Sequence, residues 1–135
     1  MNRVIIAILL AGIIAQLIKM IIYWFRHKSL SWRDLIVTGG MPSSHSAFVT
    51  SLTTAIYLEE GATTAFAISL VLMFVVIRDA FGVRRTVGEE GLMIHRILGK
   101  LKLKDESHFA MGHTPLQVLV GAALGILVSV IIYLI

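Results

Sequence analysis

Apolar residues run from Val4 to Phe25, interrupted only by Gln16 and Lys19. At about 1.5 Å rise per residue such a helix reaches roughly 33 Å, so the pattern predicts a membrane span over about 4–25. A signal peptide is the alternative, since the start of the chain is basic at Arg3. The apolar stretch exceeds the usual run of about 7 to 15 residues, however, and no A-x-A cleavage site follows. A second apolar segment, 45–58, is shorter and carries several Ser and Thr. It covers only about 20 Å, which predicts a start sunk below the interface or a thinned bilayer around it. A third, 62–81, continues into Arg78 and Asp79, and the fourth, 114–135, is uncharged. In the fourth, Gly121 and Gly125 form a G-x-x-x-G that lets another helix approach closely.

Between the third and fourth segments, 82–112 holds most of the charge. Val87, Met93, Ile94, Ile97, Leu98 and Leu101 recur there at helical spacing among Arg84, Arg85, Arg96, Lys100, Lys102 and Lys104. This predicts an amphipathic helix at the interface, opposed by Gly88, Gly91 and Gly99 at about 1 kcal/mol each. The expectation is an all-α protein: one membrane domain over 1–135, a helical bundle of about four spans plus an interfacial helix.

Composition narrows the class. Of 135 residues, 57% are apolar and 15% charged, against roughly a quarter charged in a soluble domain. A lone soluble globule is excluded, and so is disorder, which needs low hydrophobicity and high net charge. The chain has no cysteine, which removes disulfides, zinc–thiolate sites and cysteine nucleophiles. The net charge of +4 lies between apolar runs instead of across a soluble face, so it points to phosphates at a membrane surface and not to nucleic acid. Counting crossings puts every Lys and Arg except Arg3 and Lys19 on one side. The positive-inside rule makes that side cytoplasmic, with both termini outside.

Several polar residues stand out. Lys19 lies about two turns from the end of an apolar helix, where an ionisable group marks a functional site or snorkels to the interface. Arg26 follows two turns later on the same face. Gly39-Gly40-Met41-Pro42-Ser43-Ser44-His45 precedes the second span; its glycines allow close approach, and its Pro and Ser suit a helix start. That N-terminus can cradle an anion beside His45, or be a plain cap with an incidental histidine. His113 and Gln117, one turn apart around Pro115, open the fourth span. By the crossing count Lys19, Arg26, His45, Arg84, Arg85 and His113 share one side, which assembles the parts for phosphoryl transfer through a histidine.

These residues resemble the type 2 phosphatidic acid phosphatase superfamily, and more closely its divergent branch of small membrane proteins. The superfamily pattern is K-x6-R-P, then P-S-G-H, then S-R-x5-H-x3-D. Lys19 and Arg26 match the first, with His27 in place of proline. Pro42-Ser43-Ser44-His45 is similar to the second, with Ser44 in place of glycine. His113 and Gln117 are similar to the third, with Gln117 in place of the aspartate and Ser107 in place of the arginine. The stretches Gly39–His45 and Asp79–Arg85 look characteristic of the divergent branch.

The resemblance implies a metal-independent phosphatase in which Lys19, Arg26, Ser43 and Ser44 bind phosphate, His45 is the general acid and His113 the nucleophile. Arg84 or Arg85 is left to supply the missing arginine's charge, and Asp79 is the candidate replacement for the missing carboxylate. The expected substrate is a lipid phosphate monoester, phosphatidylglycerophosphate- or phosphatidate-like in preference to a polyprenyl phosphate. Two alternatives stand beside it: a Mg²⁺-dependent phosphatase using Asp79, Glu89 and Glu90, and a non-catalytic lipid-phosphate binder or transporter. A homodimer packed through Gly121 and Gly125 is a further expectation, because four spans make a small enclosure.

Overall fold

Among the described residues five helices form in chain order: α1 Arg3–His27, α2 Ser44–Glu60, α3 Thr64–Phe81, α4 Val83–Lys100 and α5 Pro115–Leu134. This computed structural model describes residues 3–27, 40–103 and 112–135, and the side chains of Arg26 and His27 lie outside it. α3 and α4 meet at Gly82, whose N–H still reaches the Arg78 carbonyl, so together they make one bent rod. Among the described residues three stretches, one fewer than the four spans expected, are long and apolar enough to cross a membrane: Arg3–Phe25, Thr64–Lys100 and Pro115–Leu134. α2, with 17 residues, is shorter than these. It occupies the middle, packed on α1, α3 and α5.

Its central position explains the composition of α2. Ser46, Thr50, Ser51 and Thr53 are buried at its contacts, and each hydroxyl finds a partner. Thr50 Oγ1 donates to Ser46 O at 2.7 Å and lies 3.2 Å from Ala122 O of α5; Thr53 Oγ1 lies 3.1 Å from Ser69 O of α3; the Ser51 and Ser129 hydroxyls meet at 2.9 Å. Without water or a hydrophobic drive between helices, small residues and such bonds hold a membrane bundle together. The bulky side chains face outward: Ile68, Val71 and Phe74 of α3 and Leu116 and Leu119 of α5 are all exposed.

The α1 stripe that faces the bundle is Ala7, Ala11 and Ala15, each fully buried, and the next step of four is Lys19, 8% exposed. Gly12 joins this contact, since a Cβ there would overlap the Phe48 ring. Gly121 and Gly125 are likewise used within the chain. A Cβ on the first would overlap the Ser43 carbonyl, and one on the second the Ala47 carbonyl and Thr50 hydroxyl. The glycine pair therefore receives α2, which takes away the face expected to seat a second copy. Because backbone stands in the way, Gly121→Val is expected to lower stability by about 3 kcal/mol, seen as a drop in thermal midpoint in detergent micelles. A wild-type midpoint would mean that the two helices do not touch there.

The interfacial segment expected over 82–112 resolves into α4, which ends at Lys100, while residues 104–111, with Lys104 and Ser107, lie outside the described residues. The glycines do not break it. Gly88 and Gly91 are its buried residues, while Val87, Met93, Ile94 and Ile97 stay exposed.

Candidate active site

Helix directions bring the C-terminal part of α1, the start of α2, the α3–α4 joint and the start of α5 to one end of the bundle. The start of α2 is set by Ser43, the N-cap, whose hydroxyl accepts from Ser46 N at 3.3 Å and from Ser46 Oγ at 3.0 Å. Ser43 N donates to the Gln117 carbonyl at 3.0 Å, tying this start to the first turn of α5. Pro42, joined to Met41 by a cis bond, precedes the N-cap Ser43 and so lies outside the first helical turn. Gly40 has φ 85°, a backbone region that favours glycine, and lies against the stem of Lys19. Lys19 thus points into the bundle, its Nζ 3.5 Å from Ser44 Oγ, and does not snorkel to the interface.

The start of α5 is held twice. Thr114 and Gln117 form a capping box: Gln117 N donates to Thr114 Oγ1 at 3.4 Å, and Thr114 N donates to Gln117 Oε1 at 3.0 Å. His113 N donates to Ala80 O at 3.0 Å, docking the segment on the α3–α4 joint. Gly112 makes that docking possible, since a Cβ there would overlap the backbone of Arg84 and Arg85.

His113 is 4% exposed, and its Nδ1 lies 3.3 Å from Gln117 Oε1. Because that atom already accepts the Thr114 N–H, it is the amide oxygen. An acceptor there holds a ring proton on Nδ1, and the ring makes a second hydrogen bond to the Gly40 backbone. Burial pushes the His113 pKa below the ordinary value; Lys19 and His45 add to this, while hydrogen bonds to Gln117 and the Gly40 backbone oppose it. The His45 and His113 ring centroids are 6.5 Å apart, tilted at 57°.

Beside His45 opens a cavity of about 220 Å³, lined also by Val75, Val76, Asp79, Ala80 and Arg84. Arg84 Nε and Asp79 Oδ2 pair across 2.6 Å. Asp79 therefore does not replace the missing carboxylate beside His113. Gln117 takes that place, and Asp79 stands on the His45 side.

The structure thus gathers Lys19, Ser43, Ser44, His45, Asp79, Arg84, His113 and Gln117. Arg85 turns away, pairing with Glu89 at 3.0 Å on the exposed side of α4. Arg26 sits in the last turn of α1 with its side chain outside the described residues. Among the described residues no three His, Asp or Glu converge as a metal site, so Asp79, Glu89 and Glu90 do not form the carboxylate cluster that the Mg²⁺ alternative needs. Thr114 and Ala80 were not singled out from sequence. The T-x-x-Q spacing signals the capping box that employs Thr114, but a backbone carbonyl such as that of Ala80 leaves no sequence signal.

The profile of the divergent PAP2 family matches residues 1–128. An uncharacterized membrane protein, YuiD of Bacillus subtilis (strain 168), is 34% identical over 145 residues, spanning 92% of this chain and 89% of that protein. No solved structure matches.

Proposed function

The chain belongs to the divergent PAP2 family of membrane proteins, and from that premise we propose that it is a lipid phosphatase working through a phosphohistidine. The observation that carries the proposal is the pair of imidazoles 6.5 Å apart where the starts of α2 and α5 meet. A phosphorus about 3 Å from the attacking nitrogen, with its leaving oxygen about 3 Å from a proton donor, puts the two ring nitrogens about 6 to 8 Å apart, a span of the same order as this centroid separation.

His113 Nε2 attacks phosphorus, the bond to the lipid oxygen breaks, and His45 gives its proton to that oxygen. Water then attacks phosphorus and gives its proton to His45 as the N–P bond breaks, releasing phosphate and restoring His113. Lys19, Arg26 and the first turn of α2 stabilise the equatorial oxygens. Ser43 Oγ already takes the Ser46 N–H, so the Ser44 and His45 amides remain for the anion. Gln117 fixes the tautomer but carries no charge, so it orients the imidazole without the electrostatic help of a carboxylate. The positive-inside rule places this end toward the cytoplasm, where a phosphatidylglycerophosphate- or phosphatidate-like substrate is presented.

Purified protein in detergent should release phosphate from a panel of lipid phosphates with a rate that chelator leaves unchanged. The nucleophile needs its lone pair, so activity is retained above the His113 pKa and lost as pH falls through it. Burial lowers that pKa, so the acid limb of kcat/KM lies below the ordinary histidine value of about 6.5. No release from any lipid phosphate would convert the reading to a binder of lipid phosphates, and chelator sensitivity would revive the metal alternative.

A further inference from the structure

α3 has 18 residues, about 27 Å at roughly 1.5 Å each, and so fills nearly the whole of a hydrocarbon core about 30 Å thick. α4 follows Gly82, whose φ −97° and ψ −95° depart from helical values. Its residues therefore lie beyond the core that α3 has already crossed.

α4 divides into two unlike halves. Its buried residues, Gly88 and Gly91, belong to the N-terminal half, where Arg84 pairs with Asp79 and Arg85 with Glu89. From Leu92 to Leu103 no residue is buried. Ile94, Ile97 and Leu101 follow one another at steps of three and four, so they share one side of the helix. Each of them is between 52% and 63% exposed. Arg96 and Lys100, one turn apart, run beside them and Lys102 follows, all exposed. Among the described residues none of these three cations has an acidic partner.

This surface thus joins bare branched side chains to cations that lack anions. A second copy would bring the same cations against them, and like charges repel. A leaflet of negative headgroups meets both needs: the apolar side chains enter the acyl boundary, while the Arg and Lys stems reach back to the headgroups. Glu90 falls one turn before Ile94 on the same side, which confines the seat to the C-terminal half.

We infer that the C-terminal half of α4 is a docking surface for anionic lipid. Ile94, Ile97 and Leu101 seat in the leaflet, and Arg96, Lys100 and Lys102 gather negative headgroups around them. The positive-inside rule puts this end on the cytoplasmic side, where the leaflet carries a negative surface potential. The inference uses neither His45 nor His113, so it stands or falls apart from the phosphatase reading.

The chain has no cysteine, so a fluorophore on Ile97→Cys reports from α4 alone. The full chain is held in nanodiscs of phosphatidylcholine and phosphatidylglycerol, and quenching by acyl-chain spin-labelled forms of the two lipids is compared. Each cation at an anionic surface strengthens association about fivefold, so the relative binding constant should favour phosphatidylglycerol by at least about that factor. Arg96→Gln, Lys100→Gln and Lys102→Gln together should bring the ratio to within about twofold of unity, as should salt near about 1 M, where screening acts within about 3 Å. Equal quenching by the two lipids before those changes, or a preference that the triple variant keeps, would overturn the inference. Quenching by neither lipid places this half in water or under protein and overturns it as well. Ile94→Cys, on the same side, gives a second reporter judged by the same outcomes.

Discussion

His113→Ala releases phosphate from lipid at least about 10⁴-fold more slowly than wild type while folding normally. Removing a nucleophile leaves only what positioning and electrostatics supply, and in a comparable hydrolase such a loss is about 10⁶-fold. Folding survives because the contacts that place this segment are backbone ones. The His113 N–H still reaches Ala80 O, and the Thr114–Gln117 capping box closes without the imidazole. Acid-quench and alkaline-quench labelling with a ³²P-lipid gives a second readout, since phosphohistidine survives alkali and is lost in acid. Wild type should carry the alkali-stable label and His113→Ala none. Full activity in His113→Ala would remove the nucleophile from this residue.

His45→Ala is expected to lose about 10²- to 10⁴-fold on lipid substrates, the usual contribution of a positioned proton donor. His45 is exposed at the second position of α2, away from the buried seam, so alanine leaves the helix start to Ser43. The diagnostic is the leaving group. A nitrophenyl phosphate ester departs without protonation, so the deficit on it should shrink to within about tenfold. An equal deficit on both substrate classes would make His45 a phosphate ligand and not the acid.

Much of the bundle was legible along the chain, because lipid imposes a simple rule: backbone polar groups bond internally and apolar side chains face out. That rule placed α1, α3 and α5 to within a few residues. It served α2 less well, since the Ser and Thr that shorten its apolar run are the residues by which it packs at the centre. Glycines misled in α4: Gly88 and Gly91 are buried within a helix that forms in spite of the entropy each costs. The G-x-x-x-G at Gly121 was readable as a close-contact site, but its partner was not. Nothing local distinguishes α2 of the same chain from a second copy.

The candidate site divides in the same way. Lys19, His45 and His113 could be singled out because polar groups in an apolar run are costly enough to need a reason. Even the inward aim of Lys19 was present in the sequence, as the step of four that continues Ala7, Ala11 and Ala15. Residue identity and period thus determined the helices, their order along the chain and which polar groups share an end. Tertiary structure decided the rest: that Gln117 holds His113, that Asp79 pairs with Arg84 beside His45, and that Ala80 O and Gly112 seat the α5 start. Those pairings depend on distances between side chains and backbone groups from different helices, which the sequence order of one helix does not encode.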